Sequence, residues 1–179
     1  DTAVKRVLVI VPFAMSADNL ALREQQLPPN ANGDAIDPAC TLNLVRAMAA
    51  ADVKTLVFCS SAAVYGALAP SPIPETAPFS PANPYGRSKA MVEEMLAEYR
   101  RAHPALEQVV FRVGTILGET TRNQITALFE KPRLIALRGS ASPFVFVWDQ
   151  DVVGAIEHAI FGGPAGIYNV AGDGALSIQ

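Results

Sequence analysis

The apolar positions fall into short unbroken runs that alternate with stretches of helical spacing. Val7-Leu8-Val9-Ile10-Val11 is a continuous, mostly β-branched run, which suits a parallel strand covered on both faces. Residues 12–38 are polar and carry prolines, with a weak helical pattern only near Ala17–Gln26, and are expected to form a loop. Asp37-Pro38 opens a helix, because aspartate can cap it and proline is tolerated in its first turn. Leu42, Val45 and Met48 then recur at helical spacing through Ala51, and Thr55–Cys59 is a second buried strand.

The proline-rich stretch from Ala67 to Pro84 must be a long loop, and long loops in small domains are usually functional. Asn83-Pro84 starts a helix running to about Arg101, with apolar Met91, Met95, Leu96 and Tyr99. Gln108–Val113 is a third buried strand, closed by Gly114. Strand, helix, strand, helix, strand implies right-handed crossovers and a parallel sheet with helices on its faces, an α/β fold. Beyond Gly118 the spacing predicts a short helix in Asn123–Glu130 and short strands at Leu134–Leu137 and Phe144–Trp148. A helix from Asp149 to Phe161 follows, then a strand at Ile167–Val170. Ser177-Ile178-Gln179 reads as the first turn of another helix.

Composition narrows the classes. Half of the 179 residues are hydrophobic and 17% are charged, so a packed core is feasible and wholesale disorder is excluded. A net charge of −3 argues against a nucleic-acid partner. Cys40 and Cys59 have no metal-ligand spacing and cannot make a disulfide framework; both are expected to be small buried hydrophobes in a reduced, cytoplasmic setting. Lys5-Arg6 before the Val7–Met15 run imitates a short signal peptide, but Asp1 precedes the basic pair and a buried strand is the better reading. The run is too short to span a bilayer, so no membrane association is expected.

Two segments carry candidate chemistry. In Tyr85-Gly86-Arg87-Ser88-Lys89 the tyrosine and lysine are four apart and share a helix face. A phenol titrates near ~10 and becomes a base at neutral pH only if a cation stabilises its phenolate, which an ammonium one turn away can do. A solvated surface pair is the other reading of that spacing. Cys59-Ser60-Ser61-Ala62-Ala63-Val64-Tyr65-Gly66 follows a buried strand directly. In open α/β sheets ligands bind beyond the carboxyl ends of the strands, where these hydroxyls lie; alternatively they only cap turns.

Together the two segments resemble the extended branch of the short-chain dehydrogenase/reductase superfamily, which includes NAD-dependent nucleotide-sugar epimerases and dehydratases. That family writes a serine-rich strand end, Val-Tyr-Gly, a proline-rich loop with Pro-x-x-Glu, and Pro-Tyr-Gly-x-Ser-Lys opening a helix. Here these are Ser60–Gly66, the loop with Glu75, and Asn83–Lys89, with Val92-Glu93 following. Phe111–Gly118, Phe146–Val153 and Ile167–Gly172 extend the likeness.

The resemblance implies a partial Rossmann-like sheet with helices on both faces. Residues 1–118 would be the second half of an NAD(P)-binding domain, and residues 119–179 part of a small substrate-binding region. It implies Tyr85 as general acid/base, Lys89 lowering its pKa and holding the cofactor ribose, and Ser61 bonding the substrate oxygen. Val113 and Gly114 would face the nicotinamide of NAD or NADP. The substrate would be a small molecule, possibly of the nucleotide-sugar class, and the chain a homodimer through helices near 41–51 and 86–101.

Two departures stand out. The family's glycine-rich cofactor loop is absent, since no glycine precedes Gly33, and Asp37-Pro38-Ala39-Cys40-Thr41 replaces an Asn-Val-x-Gly-Thr helix start. The chain therefore reads as a fragment lacking the first three strands, expected to bind the dinucleotide weakly by itself. A non-catalytic binding or regulatory module that kept the fold is the alternative.

Overall fold

The computed structural model describes residues 7–10, 38–66, 72–123, 125–133 and 143–176. The sequence readings at 12–37, Leu134–Leu137 and Ser177–Gln179, and the side chain of Cys40, lie outside the described residues.

The elements run β1 (Val7–Ile10), α1 (Pro38–Ala50), β2 (Thr55–Ser61), a 3₁₀ turn (Ala62–Val64), α2 (Pro84–Ala102) and β3 (Glu107–Val113). They continue with β4 (Thr115–Leu117), a one-turn α3 (Thr126–Phe129), β5 (Phe146–Trp148), α4 (Asp149–Ile160) and β6 (Gly166–Val170). One four-stranded sheet has the order β1-β2-β3-β6, and every pairing in it is parallel. This is the doubly covered α/β sheet that the alternating pattern predicts.

Side-chain alternation along the strands explains the layers. Leu56, Phe58 and Val110 face α1 and α2, packing with Val45, Met48, Val92 and Leu96. Val57, Cys59, Val109, Phe111 and Val113 face the other way, onto Val147 and onto Val152 and Ala159 of α4. Removing each large apolar side chain of these layers from water contributes ~1.5–3 kcal/mol.

The third strand does not simply end at Gly114. The chain continues into β4, which pairs in parallel with β5 to make a second, two-stranded sheet. Gly114 is the pivot: its N–H donates to the Val170 carbonyl at 2.9 Å, and a Cβ there would lie 3.0 Å from the Val145 carbonyl oxygen. Phe144 stands outside β5 and makes an isolated antiparallel bridge to Leu176. The buried stripe of α2 also departs from its apolar pattern. Met91 is exposed, whereas Ser88, Lys89 and Glu93 are buried with Val92 and Leu96.

Candidate active site

The site forms where β2 ends and α2 begins. Asn83 caps α2, its side chain accepting the Gly86 N–H at 2.7 Å, and Pro84 occupies the first helical turn. This cap fixes the position of Tyr85. Gly86 lets the first turn of α2 sit directly on the 3₁₀ turn after β2: a Cβ at this position would lie 2.5 Å from the Ala63 carbonyl oxygen and 3.0 Å from Pro81 Cβ. Ser61 ends β2 and caps that 3₁₀ turn, its Oγ accepting the Ala63 N–H at 3.2 Å. Ser61 also stands close enough to the Tyr85 hydroxyl to pull its pKa down. The turn-cap reading therefore holds for Ser61.

Lys89 is one turn further along α2 and has no exposed surface. Its Nζ donates to the Cys59 carbonyl at 3.0 Å and lies 5.2 Å from the centroid of the Phe58 ring and 5.5 Å from that of Tyr85. The surface-pair reading is therefore excluded for Lys89. Burial pushes its ammonium down to about 7, opposed by charge on Cys59 and then by the Glu93 carboxylate. Burial also pushes the Cys59 thiol up to about 11, so it stays neutral near pH 7.

Tyr85 itself lies above its ordinary pKa, because burial outweighs the pull of Ser61. The depression by Lys89 that the resemblance implies is thus not what this phenol experiences here; Tyr85 is held as a protonated donor. Val113 stands level with Ser61 across the β2–β3 pairing, at the carboxyl edge of the sheet, with Gly114 beside it. Ser61, Tyr85 and Lys89 converge, and Val113 and Gly114 share their end of the sheet.

Sequence reasoning gave no role to the buried polar cluster next to this triad. Glu93 receives hydrogen bonds from Ser60 and from Arg112 Nε and Nη2, the last at 2.7 Å. Arg112 Nη1 donates to the Tyr65 hydroxyl and the Glu75 carbonyl, both at 2.8 Å. The Tyr65 hydroxyl donates to Asn169 Oδ1 at 2.7 Å. Asn169 in turn donates its N–H to the Glu75 carboxylate and its amide Nδ2 to the Ile73 carbonyl. The Asn169 N–H is the main reason the Glu75 carboxyl lies below its ordinary range. A legible signal was present: an arginine inside the apolar run of β3 requires a buried counter-charge.

A separate cleft of about 430 Å³ opens between β4, α3 and β5, lined by Arg122, Phe129, Glu130 and Phe146 among others. Phe129, Phe144 and Phe146 pack there as an aromatic cluster. Among the described residues no group of acidic, histidine or cysteine side chains could hold a metal ion, and no helix is long and apolar enough to cross a membrane.

A model of the NAD dependent epimerase/dehydratase family matches residues 29–171. The chain belongs to this family. UDP-glucose 4-epimerase of Yersinia pestis is 48% identical over 79 residues, which is 44% of this chain and 23% of that protein. Among solved structures, Thermus thermophilus UDP-glucose 4-epimerase in complex with NAD is 29% identical with a TM-score of 0.64. The match covers 76% of this chain and 48% of that one. An NAD-dependent NDP-hexosamine 5,6-dehydratase of tunicamycin biosynthesis, TunA, shares the fold at 20% identity, with a TM-score of 0.74 over 96% of this chain and 57% of that one. The chain thus spans about a quarter of that curated relative and about half of these solved chains.

Proposed function

We propose that this chain carries the acid/base half of an NAD(P)-dependent enzyme that acts at a hydroxyl- or carbonyl-bearing carbon of a nucleotide sugar. The observation that carries this reading is the convergence of Ser61, Tyr85 and Lys89 where β2 ends and α2 begins, with the Lys89 Nζ 5.5 Å from the centroid of the Tyr85 ring. Making or breaking a carbonyl requires a proton to move on the substrate oxygen, and a phenol fixed by a hydroxyl and backed by a cation is equipped to move it. Ser61 bonds the same oxygen and holds it against Tyr85. The Lys89 ammonium stabilises the phenolate left when Tyr85 gives its proton to the substrate oxygen.

The donor set fits the nicotinamide-ribose end of a dinucleotide: a phenol and an ammonium for the ribose, and the Val113–Gly114 backbone for the nicotinamide. When bound, the oxidised nicotinamide supplies the hydride acceptor and a second positive charge. UDP-glucose 4-epimerases among the relatives support the nucleotide-sugar class. The aromatic cleft with Arg122 offers ring faces for a base and a cation for phosphate. Residues 119–150 would shape that substrate region.

The test uses the protein expressed from its whole gene and supplied with NAD or NADP. It is incubated with UDP- and dTDP-hexoses, and products are read by proton NMR. Epimerised or dehydrated sugar is the expected result. Cofactor binding without turnover of any nucleotide sugar would favour the non-catalytic module.

A further inference from the structure

The carboxyl end of the sheet face that packs on α2 carries a buried polar cluster. Ser60 continues the Leu56–Phe58 side of β2, Arg112 continues the Val110 side of β3, and Glu93 of α2 meets both. Glu93 and Arg112 are each about 95% buried. Nε of Arg112 reaches both carboxylate oxygens, and its guanidinium lies 5.0 and 4.9 Å from the ring centroids of Tyr65 and Phe79. Burial alone would weaken this cation, but its bonds to Glu93 and Tyr65 outweigh the loss. A buried ion pair is a poor device for stability, because well-packed apolar residues often do as well. What this pair does have is an address: Glu93 is one turn after Lys89, and Ser60 is the residue before Ser61.

We propose that Glu93 is a positioning residue for the Ser61–Tyr85–Lys89 constellation, clamping the ends of β2 and β3 onto α2 and setting a carboxylate beside the Lys89 ammonium. The inference rests on the acid/base reading above for its kinetic consequence, and for its electrostatic one on the one-turn spacing of Lys89 and Glu93 along α2 and on the buried bonds that hold the Glu93 carboxylate in place. The titratable groups around Lys89 among the described residues are Cys59 on β2, Tyr85 and Glu93 on α2, and Arg112 on β3 behind Glu93. Near pH 7 the Cys59 thiol is neutral and Tyr85 is a phenol. Glu93 is therefore the negative charge that favours the protonated lysine, and its loss leaves Arg112 to disfavour it.

The experiment reads Lys89 directly, through its ¹⁵Nζ resonance in lysine-labelled protein expressed from the whole gene, alongside kcat, KM and melting temperature against pH. In Glu93→Gln the Lys89 midpoint is expected to fall by about one pH unit or more. The alkaline limb of kcat moves down with it, and KM changes little. Glu93→Asp, which withdraws the charge by one methylene, falls part of the way. An unchanged midpoint in either folded variant overturns the proposal. So does a loss of kcat that tracks melting temperature while the midpoint stays put, because Glu93 would then be structural only. A shifted midpoint in a protein that turns over no nucleotide sugar upholds the Glu93–Lys89 coupling and refutes the catalytic reading instead.

Discussion

Lys89 is a cation with no exposed surface, and its burial has a thermodynamic consequence. The folded state releases this proton at about pH 7, whereas the unfolded chain holds it to about 10.5. Between those values the unfolded state binds more protons, so raising the pH favours folding. Below about pH 7 both states are protonated and the cost of burying the charge is fully present. Lys89→Met removes the group. The stability of the wild type relative to Lys89→Met is therefore expected to rise from about pH 7 toward pH 10 and to be flat below pH 6, read by denaturant melts across that range. A difference independent of pH would mean that Lys89 is not buried as a titrating ammonium. For Ser61, replacement by alanine removes both the turn cap and the hydroxyl beside Tyr85. Losing the cap costs ~1 kcal/mol, so Ser61→Ala should remain folded while its kcat falls far more than its melting temperature suggests.

At the scale of elements, the junction of the 3₁₀ turn with α2 decides whether the site assembles. Alanine ordinarily stabilises a helix interior by ~1 kcal/mol over glycine. At Gly86 the sign reverses, because the new Cβ would meet the Ala63 carbonyl, and overpacking of this kind costs ~1–3 kcal/mol. Gly86→Ala is expected to lower the melting temperature and to push Tyr85 off Ser61, with kcat falling more than kcat/KM-independent measures such as NAD binding; a stabilised, fully active variant would contradict the packing. Helix α2 was legible because Asn83-Pro84 writes its start and the Tyr85–Lys89 spacing writes one face. Strand β4 was not, because three residues after a glycine give no periodicity to read. The burial of Lys89 and Glu93 was hidden for another reason: charges on a helix ordinarily mark the solvated face, and their partners, the Cys59 carbonyl on β2 and Arg112 on β3, lie on distant segments. The Tyr65–Asn169 bond joins residues 104 apart, beyond the reach of any local pattern.

At the scale of the whole molecule, the parallel order β1-β2-β3-β6 brings the carboxyl ends of β2 and β3 together, so motifs from Ser60 to Gly114 meet at one edge. The alternation of strands and helices made this much legible; the placement of the second sheet and of the cleft depended on Gly114 and on contacts across residues 117–176. The outer surfaces of α1 and α2 expose Leu44 and Met91, at 37% and 53%. The homodimer that the resemblance implies would cover them. Light scattering of the protein expressed from its whole gene should give the mass of two copies, reduced to one by Met91→Glu with Leu44→Glu. A monomer at high micromolar concentration would contradict that arrangement.

The central claim is that Tyr85 moves the proton on the substrate oxygen, and Tyr85→Phe tests it most directly. The variant keeps the ring and its packing and removes only the hydroxyl. With NAD bound and a nucleotide sugar that the wild type converts, turnover is expected to fall by about 10²–10⁴, with melting temperature close to that of the wild type and cofactor affinity reduced far less than turnover. Turnover within a few-fold of the wild type, at the same stability, would contradict the account.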